Sequence, residues 1–374
     1  MRVIVVTPVY ALSGVPLAQI RLAKVLARIG HNVTLIIGKI NKGFELPLIE
    51  NIDVIVLGKK RVITMFKDII NISNSSSPDV IFSAEDHLNI IIMLASFLFR
   101  KEAKISCSSR VTPFDTYSKN PFKKGFYLKF LMKFLMNRAD VLSCVSEDMV
   151  TQYQSLFKNS RHQRIYNIIG PDDIEILKAE KVNHDWFNGN YEVIIGAGNL
   201  SPWKGFTDLI KAFSLIKNKK SLKLVILGDG PEKHDLVNLI YELKLEDNIQ
   251  LLGNVSNPFK YFSKSSLFVL SSRVEGLPNV IVEAMMCGCK IVSYDCPTGP
   301  REILQNGKYG TLVKPGDISM LSSSMIDLLK NTQPGNYFES AFKPFMMEQV
   351  LEQHRKSLKI SKDNFYPRKY ENRS

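Results

Sequence analysis

A chain of 374 residues, 45% of them hydrophobic, is long enough for two α/β domains with full cores. Its net charge of +13 is uneven: residues 1–170 hold 23 Lys/Arg against 12 Asp/Glu, whereas residues 171–374 hold 26 against 24. Cys107, Cys144, Cys287, Cys289 and Cys296 are scattered without zinc-ligand spacing, which speaks for reduced thiols in a reducing cytoplasm, and the longest apolar run, near 90–99, is too short to span a bilayer.

In chain order, Met1-Arg2 runs straight into the apolar VIVVTP, which reads as a strand with no cleavage region. After RVIVV (2–6), the loop through Gly14 leads into a helix from about Pro16 to Ile29, ended by Gly30, and HNVTLIIG is the next strand. IDVIVL, a helix near 62–72, DVIFS, a helix near 87–99, KISCS, a long helix, DVLSCVS and a helix from Glu147 continue the alternation. This βα pattern predicts a mostly parallel sheet covered on both faces. Ligands on such sheets bind beyond the carboxyl ends of the strands, so the loops at 7–15, 83–87 and 108–116 fall on the site side.

The long helix, 122–138 (FKKGFYLKFLMKFLMNR), holds five basic residues and no acidic one. Leu128, Leu131, Met132, Leu135 and Met136 project to one side, predicted to pack on the sheet. Phe126, Phe130 and Phe134 share the other with Lys123, Lys129, Lys133 and Arg138. That Phe/Lys side suits either a neighbouring helix or an anionic lipid surface. The basic excess admits a nucleic acid, a membrane or a phosphate-bearing acceptor; with no nucleic-acid-binding motif, the membrane ranks first.

The second half repeats the alternation in YEVIIGAG, LKLVILGDG, NIQLLG, SLFVLS, KIVSYD and GTLV. The expected division is a first domain over 1–168, a linker over 169–190, a second domain over 191–343, and a C-terminal segment over 344–374 whose tail from 360 frays. A cleft between two such domains is a place for a ligand.

Residues 275–289, EGLPNVIVEAMMCGC, place Glu275 just ahead of a helix expected to be capped by Asn279 and ended by Gly288, with Glu283 inside it. A phosphate can rest on the helix N-terminus while carboxylates accept from hydroxyls; the alternative is an ordinary capped helix with two incidental acids. In SPWKGF, Lys204 lies between a strand and a helix, where its ammonium can reach a diphosphate. LGDGP (227–231) sets two glycines around Asp229, a loop that admits close backbone approach or is simply a βα turn.

Glu275 and Glu283 with seven residues between them in EGLPNVIVEAMMCG, and SPWKGF, LGDGP and CPTGPREIL in order, resemble the retaining nucleotide-sugar glycosyltransferases of family GT4. The resemblance implies a GT-B fold: two Rossmann-like, doubly wound α/β domains facing a cleft. It places Lys204 on the diphosphate, Glu275 by the donor sugar and Glu283 on the ribose, with backbone around Leu277, Asn279 and Val280 facing the phosphate. The loop holding Val255 would contact the base, and Asp229 and Gly230 would border the nucleotide. Gly14 matches a glycine loop of the first domain, although Val15 fills its second position. Asn199 stands where the family usually has Arg, leaving Arg273 and Arg301 as substitutes, each equally suited to an ion pair. Ser109 and Arg110 occupy the place of a His that contacts the donor sugar; His87 is a weaker candidate on the site side.

The implied activity is transfer of a hexose or N-acetylhexosamine, most simply UDP-linked, with retention. The expected partners are the nucleotide sugar, a lipid-linked saccharide acceptor and an anionic membrane surface, with no nucleic acid. The expected location is the inner face of the cytoplasmic membrane, peripherally attached, in surface polysaccharide assembly. No cofactor is expected, and the lack of a D-x-D pair agrees with a reaction that uses no metal. The alternatives are a GT-B epimerase or phosphorylase and a non-catalytic membrane adaptor.

Overall fold

The computed structural model describes the chain except for residues 12–13, 47–48, 159, 172, 218, 332–336 and 368–374. It comprises two compact units, Met1–Ile168 with Met347–Ser374, and Ile169–Met346.

The first unit contains β1 (Arg2–Tyr10), β2 (Asn32–Ile40), β3 (Ile52–Val56), β4 (Val80–Ala84), β5 (Lys104–Ser109), β6 (Val141–Cys144) and β7 (His162–Arg164). They form one parallel sheet in the order β3-β2-β1-β4-β5-β6-β7, so the winding reverses between β1 and β4. Val3, Ile4, Val5 and Val6 are all buried, as both-face coverage of a parallel strand requires. The segment predicted as a helix over 62–72 starts as a tight 3-10 turn, Val62–Met65, before the Phe66–Ser76 helix. β7 escapes sequence reading because His-Gln-Arg has no apolar pattern.

The second unit holds β8 (Glu192–Ala197), β9 (Leu222–Leu227), β10 (Ile249–Gly253), β11 (Leu267–Leu270), β12 (Lys290–Tyr294) and β13 (Thr311–Val313). All are parallel, in the order β10-β9-β8-β11-β12-β13, and the reversal lies between β8 and β11. Its core joins Ile194, Leu224 and Val269 of the sheet to Leu209 and Phe213 of the Phe206–Ser214 helix.

The stretch 169–190 carries two short helices, Ile174–Ala179 and Asp185–Asn188. Asn257 Nδ2 donates to Leu177 O at 2.8 Å and Ser263 Oγ to Lys178 O at 2.9 Å, binding this stretch into the second unit. The C-terminal helix Met347–Ser357 buries Val350, Leu351 and His354 within the first unit. The fraying expected from residue 360 is corrected as far as 367, because Phe365 is fully buried and meets His31 edge-on at 5.7 Å; residues 368–374 lie outside the described ones.

The Lys124–Leu135 helix and the turn after it bury Met132, Leu135 and Met136. Phe130 and Phe134 are 58% and 66% exposed, with ring centroids 4.6 Å apart, and Phe122 and Phe126 are exposed too. Leu131, expected in the packed stripe, is 37% exposed. The buried stripe centres on residues 132, 135 and 136, and Leu131 falls on its rim. No described helix is long and apolar enough to cross a membrane.

Candidate active site

The loops after β8 and β11 leave the second sheet where its strand order reverses, the point at which an open parallel sheet offers a crevice. Lys204 ends a tight turn, Pro202–Lys204, followed by Gly205 at φ +65. A Cβ on Gly205 would lie 2.2 Å from Ser271 O, so only glycine lets this turn rest on the β11 loop. Ser271 Oγ donates to Lys204 O at 2.9 Å and Arg273 N–H to Trp203 O at 2.8 Å, locking the two loops together.

So held, Lys204 Nζ meets Glu275 Oε1 at 2.5 Å, with the side chains 20% and 10% exposed. Thr298 Oγ1 donates to Glu275 O, bracing the acid from the CPTGPREIL loop. The Cys296 thiol beside it is pushed up to about 12 by burial and then by Glu275, so it stays protonated. Ser271 and Thr298 were not singled out in the sequence; Thr298 lay inside a quoted motif, but only the fold brings it to Glu275.

The Asn279–Met286 helix begins as predicted in place but not in cap. Pro278 is the N-cap, without a side-chain bond, and Asn279 is the first helical residue, its N–H turned to Leu277 O at 2.9 Å. Proline's fixed φ presets this start, so an Asn cap is not used. Leu277 is buried, Val280 half-buried, and Glu283 half-buried within the helix.

Asn199 Nδ2 donates to Asp229 O at 3.1 Å, so the amide standing in for Arg ties the β8 loop to the β9 loop. Asp229 accepts from Lys233 Nζ at 3.0 Å and Gly230 N–H at 2.8 Å, and these bonds, Lys233 first, hold its carboxyl below the usual range. A Cβ at Gly230 would come within 2.5 Å of Leu200 O, which explains that glycine by close packing. Val255 is half-buried in the loop after β10. Arg273 and Arg301, weighed as replacements for the missing Arg, pair with Asp208 at 2.8 Å and with Asp295.

In the first unit, Arg110 follows β5 and donates from Nη2 to Gln19 Oε1 at 3.3 Å, while Gln19 Nε2 donates to Val6 O at 3.2 Å. Burial pulls the guanidinium down to about 10, with Glu85 opposing, and leaves it cationic at neutral pH. Asp86, not singled out in the sequence, is buried and accepts from Ser109 Oγ at 2.5 Å, Tyr117 OH at 2.7 Å and Tyr153 OH at 2.6 Å. Burial and the charge of Asp86 push both phenols up, so they remain donors. His87 is pulled down by burial and then by Lys124. Gly14 opens its helix, and a Cβ there would meet nothing within 4 Å; Leu12 and Ser13 of that loop lie outside the described residues.

Comparison with known proteins agrees with the two parallel sheets. The profile of the family described as Glycosyl transferases group 1 matches residues 178–343. An uncharacterized glycosyltransferase of Methanocaldococcus jannaschii is 33% identical over 277 residues, 66% of each chain. The N-acetylgalactosamine-N,N'-diacetylbacillosaminyl-diphospho-undecaprenol 4-alpha-N-acetylgalactosaminyltransferase of Campylobacter jejuni is 31% identical over 256 residues, 67% of this chain and 66% of the relative. In fold, the chain is similar to Anabaena HepE, crystallised with UDP and glucose, at a TM-score of 0.75 and 21% identity over 96% of this chain and 99% of that one. With two parallel Rossmann-like sheets and these relatives, the chain belongs to the group 1 glycosyltransferases, GT4-type transferases of the GT-B fold.

Proposed function

We propose that this glycosyltransferase moves a hexose or N-acetylhexosamine from a UDP-linked donor to a lipid-linked saccharide, with retention, in surface polysaccharide assembly. The observation that carries this reading is the Lys204–Glu275 contact where the second sheet reverses. An ammonium has three N–H donors, and Glu275 Oε1 occupies one, which leaves two for diphosphate oxygens. Glu275 keeps that cation placed and lies where a donor sugar would meet it. The Asn279–Met286 helix start adds partial positive charge for the phosphate, and Glu283 on the same helix suits ribose hydroxyls. Asn199, Asp229, Gly230 and Val255 frame the nucleotide. Charge on the departing diphosphate is then met by Lys204 and backbone, without a metal. The acceptor hydroxyl attacks from the side the nucleotide leaves, and its proton passes to the departing phosphate oxygen.

The names of two relatives support the substrate classes: one acts on a diphospho-undecaprenol-linked saccharide, and the other was crystallised with UDP and glucose. The exposed rings of Phe122, Phe126, Phe130 and Phe134 beside lysines support docking at the anionic inner face of the cytoplasmic membrane, where a lipid-linked acceptor resides. A donor screen scored by released UDP or GDP, with extracted polyprenyl-linked lipids as acceptors, tests the reading. UDP release that depends on the lipid fraction is the expected result; lipid-dependent GDP release rejects the UDP assignment, and no release from any donor rejects the transferase activity.

A further inference from the structure

Glu85 follows β4 and caps the next helix with φ +77 and ψ 129, a backbone region that residues with side chains rarely occupy. Hydrogen bonds hold it there. Its N–H donates to Ser108 O at 3.0 Å, and its carbonyl accepts from the N–H groups of Leu88 and Asn89, each at 2.9 Å. The next residue, Asp86, is fixed by the three hydroxyls of Ser109, Tyr117 and Tyr153. The surroundings thus over-determine a strained conformation at the carboxyl end of a parallel strand, where ligands of this fold class bind.

The side chain of Glu85 has none of that support. Its half-buried carboxyl takes no hydrogen bond and no ion pair among the described residues. At the end of the adjacent strand β5, Arg110 keeps its Nε buried without a partner among the described residues. The two charges act on one another, yet they do not pair within 4.0 Å. A carboxylate only accepts hydrogen bonds and a guanidinium only donates them. Left unjoined on neighbouring strand ends, they complement a ligand whose oxygens do both, and adjacent sugar hydroxyls are such a ligand.

Resting on the reading of the chain as a glycosyltransferase, we infer that Glu85 and Arg110 form a saccharide subsite, in which Glu85 accepts from one sugar hydroxyl and the Arg110 guanidinium donates to a neighbouring oxygen. The strained bend aims a carboxylate that no packing requires. Burial raises the Glu85 pKa, Asp86 adds to the rise and Arg110 opposes it. Beyond these stand His87 and Lys124 on the Asp86 side, and Cys144 and His354 around Arg110. Transfer should therefore fall on the acid side as Glu85 protonates and ceases to accept.

Glu85→Gln and Glu85→Gly in the full chain test this. The Gln variant should lose about 10- to 100-fold in kcat/KM, the worth of a hydrogen bond to a charged group, with melting temperature and affinity for UDP alone unchanged. Its pH profile should lose the acid limb. The Gly variant should melt about 2–5 °C higher, because glycine adopts this φ without strain, and be no more active than the Gln variant. A KM raised for the acceptor assigns the subsite to the acceptor saccharide, and a KM raised for the donor assigns it to the donor sugar. Full activity in Glu85→Gln, or melting and UDP affinity falling together with activity, overturns the inference. A wild-type chain that releases no nucleotide from any donor overturns the functional reading beneath it instead.

Discussion

In the first unit, ionisable groups are buried: Asp86 sits under three hydroxyls, Arg110 keeps its Nε covered, and neutral His31, His162 and His354 lie in the core. In the second unit, Asp208 and Lys223 are buried as well, but Lys204 pairs with Glu275 on the loops after the central strands β8 and β11, and the core beneath joins Ile194, Leu224, Val269 and Phe213. Both units rest on parallel sheets with one reversal of strand order. The contrast teaches that the same sheet can hold ionisable groups either as part of its interior or as attachments to its rim. Rim groups can be changed with the fold intact; interior groups tie the fold to pH.

Four measurements break or sharpen that contrast. The largest effect is expected at the rim: Lys204→Ala and Glu275→Ala should each lower transfer by about 10³-fold or more while the chain stays folded, as removal of charge stabilisation at a reacting diphosphate does. Near-normal turnover in either would unseat the assignment of the second-unit site.

Acid comes next. Burial pulls His31 and His162 down to about 4 and His354 to about 3, whereas unfolded histidine protonates near 6.5. Below pH 6.5 the unfolded chain binds more protons, so stability falls as pH drops toward 4, by roughly 2 kcal/mol per histidine at pH 5. Both tryptophans, Trp186 and Trp203, lie in the second unit, so their fluorescence follows that unit while far-ultraviolet circular dichroism follows both. Acidification from pH 7 to 5 should lower the dichroism transition ahead of the fluorescence one, and coincident shifts would refute the asymmetry.

A smaller change concerns the first unit's exposed rings. Phe126, Phe130 and Phe134 replaced by Ser should weaken co-sedimentation with phosphatidylglycerol vesicles about 10-fold or more, with melting unaltered. Unchanged sedimentation would reject docking through this helix. The smallest effect is none: transfer measured in a chelator should match the untreated rate, and a loss restored by a divalent cation would show that Lys204 and the helix start do not suffice.

Much of the rim site was legible because its chemistry is local. EGLPNVIVEAM and PWKGF each place a charged residue at a strand-to-helix turn, and a turn's position follows from apolar runs and glycine. Asn279 was misread as a cap because Asn is a common one, while the proline before it had already set the start. The interior network was not legible. Asp86 reads as one of two acids after a strand, and nothing local says that Ser109, Tyr117 and Tyr153 will converge on it.

The sequence by itself determined two alternating βα halves, their strands apart from β7, the loops that carry Lys204 and Glu275 and the helix that carries Glu283, because hydrophobic period and turn residues act over a few positions. Tertiary structure alone decided that Thr298 braces Glu275, that Asn199 ties two loops, that Leu131 faces out, and that Glu85 bends against its own preference near an Arg110 whose Nε has no partner among the described residues. These are contacts between segments far apart in the chain, and strand order and packing, not neighbours in sequence, choose which groups meet.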